Sequence, residues 1–267
     1  MKKYWSFFRI RFVNGLQYRA AALAGVATQF FWGMMYILMY AAFCRTNPAQ
    51  FPMEFSDTAT YVWLQQAFLA LFMGWFFDMD LLNSVTNGNI AYELARPLEI
   101  YSMWFVKDLA NRASMALLRC WLILLVAFFI PQPYGMKLPD NLVSFLLFLV
   151  SGILGCLVMV SLSMIVCGLT FYMTSSLGIR IVARTVTDFL GGGIIAIPFL
   201  PDGFRQIVSL LPFASTQNVP LRIYSGNLAG TEAAFCILLQ IFWLVVLYIG
   251  GRLLFRRALK RVVVQGG

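Results

Sequence analysis

Few residues of this 267-residue chain can do acid–base or metal chemistry. The sequence has no histidine, the commonest general base and metal ligand, and only eleven aspartates and glutamates. Asp78 and Asp80, with Glu93 nearby, form one acidic grouping that could bind a divalent metal in a membrane-embedded, lipid-modifying enzyme. Side chains two residues apart on a helix do not face each other, and no further acidic cluster supports these carboxylates. We therefore predict no catalytic residue and no metal site, and keep the enzyme as an alternative.

Three ionisable residues stand out because they lie within apolar stretches. Arg119 falls in one stretch, and Arg184 and Asp188 lie four residues apart in another. Ionisable groups inside a membrane usually face a protein interior or a watery cavity, because exposure to lipid is costly. These residues therefore line or gate a pathway through the protein, or Arg184 and Asp188 form an internal ion pair that fixes helix packing. Arginine reaching to the membrane surface is a third interpretation.

The elements that carry these residues are predicted to cross a membrane. The chain is 61% hydrophobic and 12% charged, with a mean hydropathy of +0.78, whereas about 25% of a soluble domain is charged. A spanning helix needs about 20 apolar residues. Six such stretches predict an all-α integral membrane protein with six transmembrane helices. They lie at about 21–43, 58–77, 113–130 (starting there or earlier), 142–171, 177–200 and 233–255.

The lysines and arginines predict the orientation of these spans. Fifteen of the twenty fall on one side of the six-span arrangement, the side that the positive-inside rule makes cytoplasmic. They are Lys2, Lys3, Arg9, Arg11 and Arg19; Arg96, Lys107 and Arg112; Arg180 and Arg184; and Arg252, Arg256, Arg257, Lys260 and Arg261. Both termini are therefore predicted to be cytoplasmic. The net charge of +9 is explained by topology, and we expect no nucleic-acid partner.

Two segments outside the spans have unusual patterns within what we predict to be a single transmembrane domain, 1–267. In residues 1–20, aromatic and apolar side chains recur at helical spacing from Trp5 to Leu16, which predicts an interfacial helix on the membrane lipid, or else a basic flank. Residues 198–230 hold four prolines around a short amphipathic piece. They are too apolar for an exposed loop and too interrupted for a span, which predicts an extracellular re-entrant hairpin, or else an interfacial outer loop.

The predicted cytoplasmic loop, residues 78–112, contains a third such pattern. Ile90, Leu94 and Leu98 recur four apart, which gives a short helix an apolar stripe. A turn signal around Gly88 precedes the stripe, and Pro97 disfavours helical geometry at the residue before it. An apolar stripe outside the membrane needs either the bilayer surface or a partner protein. A loop that merely skims the membrane is the alternative to a docking helix.

The motif Gly-x-Ile-x-x-x-Leu-x-Arg-Pro at 88–97 resembles the first cytoplasmic loop of ABC-type exporter permeases of the type-2 class. Other stretches resemble one branch of that class, and the resemblance extends over nearly the whole chain. These stretches are DFL (188–190), PFLPD (198–202), LPF (211–213), VPLRIYSG (219–226) and RRALKR (256–261). The motifs are individually short, so their order and spacing carry the resemblance.

The resemblance implies a permease subunit in a bacterial plasma membrane that exports an amphiphilic substrate such as a drug, peptide or lipid. The loop would be a coupling helix that docks on a separate ATPase through Gly88, Ile90, Glu93, Leu94, Arg96 and Pro97. The chain has no Walker A motif, so ATP and Mg²⁺ are expected on that partner and no cofactor on this chain. Two permeases, identical or diverged, would pair. A channel or a secondary transporter is the alternative function.

Overall fold

The computed structural model describes residues 2–17, 19–74, 77–86, 90–173 and 175–260, and the regular structure in these ranges is entirely helical. The all-α prediction is therefore confirmed. The α-helices are α1 (Lys2–Gly15), α2 (Arg19–Thr46), α3 (Phe55–Ala67), α4 (Leu69–Phe72), α5 (Met79–Thr86), α6 (Ile90–Leu94), α7 (Ile100–Phe129), α8 (Leu142–Thr170), α9 (Leu177–Leu190), α10 (Asp202–Leu210), α11 (Asn218–Tyr224) and α12 (Gly230–Leu259). Short 3₁₀ helices occupy Pro48–Gln50 and Ile197–Phe199.

Four of the described helices are long and apolar enough to cross a membrane. They are Ala22–Thr46 within α2, and the whole of α7, α8 and α12, which correspond to the first, third, fourth and sixth predicted stretches. The second stretch is divided at Phe68 into α3 and α4, and the fifth ends as a helix at Leu190. The chain is thus a multi-pass membrane protein, and the count of six spans stays a prediction.

The divided second stretch lies in the interior of the bundle. Every residue of α3 from Thr58 to Ala67 is buried, including Gln65 and Gln66, and α3 packs against α2 and α7. Polar side chains and irregular backbone are tolerated at membrane depth where protein or a cavity, and not lipid, surrounds them. This explains why α3 can carry polar residues, whereas α4 is apolar and only too short to span.

Helix α7 begins at Ile100, which corrects the predicted loop 78–112 to one that ends at Glu99. Lys107 and Arg112, interpreted as loop charges from the sequence, are buried in this helix. Lys107 Nζ lies 2.8 Å from Asp78 Oδ2, and Arg112 is paired with Asp108. A hydropathy scale scores each charged residue as polar even when an opposite charge neutralises it inside the protein. Lys107 and Arg112 therefore lowered the hydropathy of this part of α7, and the sequence indicated a loop.

The N-terminal helix α1 is present as predicted and packs along the first half of α7. Lys3 Nζ donates to the Pro97 carbonyl at one end, and Gly15 lies against the Ser114 side chain at the other. Trp5, from the predicted apolar stripe, is 69% exposed, whereas Phe7 on a neighbouring side packs into the core. The position of α1 on the membrane lipid stays a prediction.

Residues 198–230 contain two helices of opposite character. The amphipathic α10 is largely exposed, whereas α11 is buried against α8 and α3. The turn between them reaches far into the bundle, because a Cβ on Gly155, at the middle of α8, would collide with the Thr216 carbonyl oxygen. Gln240, eleven residues into α12, donates to the Ser215 carbonyl at 2.9 Å. The position of this segment relative to the membrane stays a prediction.

Candidate functional site

A cavity of about 970 Å³ lies between α2, α3–α4, α7, α9 and the turns that follow α9 and precede α11. Arg119, Arg184 and Asp188, which the sequence singled out from two separate stretches, all line it. Polar side chains from α2, α3, α9 and the turn before α11 share the lining. They are Thr28, Gln29, Gln65, Gln66, Thr185, Thr187, Thr216 and Gln217. The cavity therefore brings polar and charged side chains together inside a bundle whose outer surface is apolar.

Arg184 and Asp188 form the predicted pair at positions i and i+4 and also face the cavity. Arg184 Nε lies 3.6 Å from Asp188 Oδ2, with the arginine side chain 58% exposed and the aspartate 16% exposed. The backbone of Gly74 also hydrogen-bonds to the Asp188 carboxylate. The ion-pair and pathway interpretations are thus compatible in geometry, and a transport role for these residues stays a prediction.

The break after α9 forms one wall of the cavity. Gly192 adopts φ +79°, a left-handed conformation that favours glycine. Gln65 Nε2 donates to the Gly193 carbonyl at 2.8 Å, and Gln217 Nε2 donates to the Gly191 carbonyl at 3.3 Å. These glutamines satisfy carbonyls in the break, where the backbone no longer forms helical hydrogen bonds. The sequence did not predict the role of Gln65, although the adjacent Gln65 and Gln66 inside an apolar stretch were a signal.

Arg112 holds the end of α4 on the neighbouring side of the cavity. Its side chain is fully buried and donates to the carbonyls of Leu71 and Met73 at 3.2 and 3.1 Å. It also bonds to Ser163 Oγ at 2.9 Å and to Asp108 Oδ2 at 3.1 Å. A guanidinium offers five donors in a fixed planar arrangement, which suits this convergence of acceptors. Arg112 thereby links α4, α7 and α8.

The predicted coupling helix exposes only part of its apolar stripe. Ile90 is 2% exposed and Leu98 is half-buried, and both pack into an apolar cluster with α5, α7 and α8. Leu94 and Tyr92 are 43% and 76% exposed. The prediction of a single stripe is wrong here because α6 ends at Leu94, so Leu98 lies beyond the helix. Gly88 lies outside the described residues.

The same segment carries charged residues at its outer surface. Glu93 pairs with the exposed Arg96 at 3.2 Å, and Pro97 is exposed beside it. Together, Tyr92, Leu94, Arg96 and Pro97 form an exposed surface, which we call the α6 surface. Its apolar members have no neighbour in the described part of the chain that would cover them.

The residues after the α6 surface are bound to the bundle at Glu99. Arg252 of α12 forms a two-pronged ion pair with Glu99, at 2.8 and 3.0 Å. Burial raises the pKa of Glu99, but hydrogen bonds from Arg252 and Ser102 and the positive charge of Arg252 outweigh it. The pKa therefore lies below its ordinary value. The exit of the loop is thus attached to α12.

The acidic grouping that suggested an enzyme is divided among basic partners. Asp78 Oδ2 accepts from Lys107 at 2.8 Å and from Asn111 at 3.2 Å, and Glu93 is paired with Arg96. The side chain of Asp80 lies outside the described residues. Within the described ranges, no three histidine, cysteine, aspartate or glutamate side chains are grouped to hold a metal ion.

Comparison with known proteins agrees with the motifs and with the helical bundle. A family model described as "ABC-2 family transporter protein" matches residues 30–266, which is most of the chain. A comparison with curated proteins gives no match. Members of this family are membrane components of transporters and generally work with an ABC ATPase. The chain therefore belongs to the ABC-2 family of transporter proteins and has the role of a membrane transport permease.

Proposed function

We propose that this permease is the membrane subunit of an ATP-driven exporter that moves an amphiphilic substrate outward across a bacterial plasma membrane. It has six spans and cytoplasmic termini, with α10 and α11 as an extracellular re-entrant segment. It pairs with a second permease, identical or diverged, and each docks on a separate ATPase that binds ATP and Mg²⁺. The ATPase docks on the α6 surface.

The observation that carries this proposal is the continuous packing from the α6 surface to the cavity. Ile90 anchors α6 in an apolar cluster that also contains Phe72 of α4, and Phe72 lines the cavity. Protein interiors are close-packed, so a displacement of Ile90 is transmitted to its neighbours and not absorbed. A push on α6 would therefore move a wall of the cavity.

The polar contacts of α4 extend the same connection. Arg112 is bound to the carbonyls of Leu71 and Met73, and Met73 also lines the cavity. Asp78, just before α5, is held by Lys107 of α7. The end of α4 and the residue just before α5 are therefore each fastened to α7, which connects α5 and α6 to the cavity wall.

Purification of the tagged chain from its native membrane tests the docking. We expect an ATPase with a Walker A motif to co-elute stoichiometrically with the wild-type chain. Leu94→Glu should reduce the amount of bound ATPase at least tenfold. Burying a leucine contributes about 1.5–3 kcal/mol, and 1.4 kcal/mol is a factor of ten in affinity.

Leu138→Glu is the matched control, because Leu138 is 65% exposed and lies in the loop after α7, at the end of α7 opposite α6. It should leave co-elution unchanged. A wild-type chain that elutes without an ATPase after gentle solubilisation would contradict the proposal and favour a channel or secondary transporter. Equal co-elution of both variants would contradict docking through Leu94.

A further inference from the structure

Arg119 stands in the cavity without an acidic partner. Its guanidinium lies against Gly25 of α2, where an added Cβ would be 2.9 Å from the arginine Cζ. The Nε atom is buried and has no hydrogen-bond partner. None of the ion pairs among the described residues includes Arg119. A cation two-thirds of the way along a membrane-spanning helix is costly unless something in the cavity neutralises it.

Gln29 is the second lining residue with unmet hydrogen bonds. It is 5% exposed, and neither its Oε1 nor its Nε2 has a partner among the described residues. It lies one helical turn from Gly25 on the same face of α2, and so on the side that Arg119 approaches. Buried polar groups in native proteins are nearly always satisfied by protein, water or ligand. Two adjacent exceptions that face one cavity indicate a bound polar group.

The charges of the cavity favour an anion over a cation. Asp188, the acidic residue of the lining, is already paired with Arg184 and bonded to the backbone of Gly74. With Arg184 and Asp188 neutralising each other, Arg119 leaves the lining with one net positive charge. A cationic ligand would have to displace Arg184 from Asp188, whereas an anion binds Arg119 without breaking any pair.

The rest of the lining suits an apolar body. Trp32, Tyr36, Leu69, Phe72 and Met115 contribute aromatic and aliphatic surface around the polar groups. Ligand sites of roughly 300–1,000 Å³ hold drug-sized molecules, and this cavity of about 970 Å³ lies at the upper end of that range. The cavity therefore has room for a hydrocarbon or aromatic portion as well as a headgroup.

We propose that the cavity binds an anionic amphiphile, whose carboxylate, phosphate or sulfate headgroup contacts Arg119 and Gln29. Its apolar portion lies against the aromatic wall of α2 and the end of α4. As the substrate class of the transporter, this inference rests on the function proposed above. Binding of the amphiphile is measured without ATP or an ATPase, so the two proposals can fail separately. A chain that binds no ATPase can still bind the amphiphile, and a chain that binds an ATPase can fail to bind the amphiphile.

The probe is 11-(dansylamino)undecanoic acid, compared with its uncharged methyl ester. Binding is followed by dansyl fluorescence with the purified full-length chain in phosphatidylcholine nanodiscs, and the signal of empty nanodiscs is subtracted. We expect the acid to bind at least tenfold more tightly than the ester. Arg119→Gln should weaken binding of the acid about tenfold or more and leave the ester unchanged, because only the charged headgroup uses Arg119.

Arg45→Gln is the matched control, since it removes one positive charge from the end of α2 outside the lining. Its affinity for the acid should equal that of the wild type, and Arg119→Lys should restore most of the preference for the acid. Equal affinity of the wild type for acid and ester would overturn the proposal, as would equal behaviour of Arg119→Gln and Arg45→Gln. If Arg119→Gln does not fold, Gln29→Leu must weaken acid binding severalfold, and an unchanged affinity overturns the proposal.

Discussion

Replacing Arg112 with methionine should destabilise the bundle by about 3–5 kcal/mol. Methionine has a similar length but is uncharged and apolar. The Asp108 carboxylate, whose side chain is 4% exposed, is therefore left buried without its cation. Removing one partner of a buried ion pair costs about 3–5 kcal/mol, because the remaining charge is uncompensated. The carbonyls of Leu71 and Met73 also lose their donor, which places the expected value toward the upper end of this range.

A double substitution separates the charge from the carbonyls. Arg112→Met with Asp108→Leu removes the stranded carboxylate, so the double variant should be more stable than Arg112→Met alone. It should remain about 1–3 kcal/mol below the wild type, because the two carbonyls stay unpaired. The free energy of unfolding is measured by titrating the protein in mixed micelles with sodium dodecyl sulfate and following helix content by circular dichroism.

Arg96→Met is the control, because it removes an arginine from an ion pair that is exposed to solvent. Arg96 is 43% exposed and pairs with Glu93 at 3.2 Å, so its loss should cost less than about 1 kcal/mol. Two results would refute the reasoning: a cost for Arg112→Met as small as that for Arg96→Met, or a double variant less stable than the single one. Either result would mean that Asp108 does not depend on Arg112.

Two further substitutions test the packing of α8 and the attachment of α12. Gly155→Ala should lower the free energy of unfolding by about 1–3 kcal/mol, because the new methyl group meets a backbone carbonyl. Gly152→Ala is the control on the same helix: its methyl group enters open space, so it should raise the free energy of unfolding by about 0.5–1 kcal/mol. Equal stabilities of the two variants in mixed micelles would contradict this. The Glu99 pair with Arg252 should stabilise the fold above the ordinary carboxyl pKa of 4.5 and lose that contribution as pH falls through the lowered pKa of the folded state. Wild type should therefore be more stable than Glu99→Gln at pH 7 and converge with it in acid, and a constant difference across pH would contradict the pair.

The long apolar helices were predictable because their surroundings are uniform. Helices α2, α7, α8 and α12 expose apolar side chains such as Phe31, Trp121 and Leu238 on their outer surface. Their apolar composition alone therefore indicates that they are surrounded by lipid. The membrane class and the family motifs follow from the same local information. The start of α7 was misplaced because Lys107 and Arg112 are neutralised by Asp78 and Asp108, and pairing of that kind depends on contacts between elements.

The site was predictable in part and for a different reason. Arg119 and Asp188 were visible as charges in apolar stretches, and the structure brings both to one cavity. Gln29 and Gln65 were not predicted as site residues, because an amide in an apolar stretch is a weaker signal than a charge. Their importance depends on the hydrogen bonds that they form or lack in the folded protein. The sequence also did not show that Ile90 is buried while Leu94 is exposed, because this difference depends on where the five-residue helix α6 ends.

The two stretches that lack the length or hydropathy of a span both line the cavity, together with α2 and α7. Helices α3–α4 and α9 are interrupted at Phe68 and after Leu190, and both contribute to the lining. Unpaired backbone groups are costly in lipid but tolerable where Gln65 or Arg112 can bond to them. Gln65, which lowers the hydropathy of α3, satisfies a carbonyl at the break after α9, and Arg112 of α7 satisfies those at the end of α4. Helix α3 is buried from Thr58 to Ala67, so it can carry amides and end in a break without exposing its backbone to hydrocarbon.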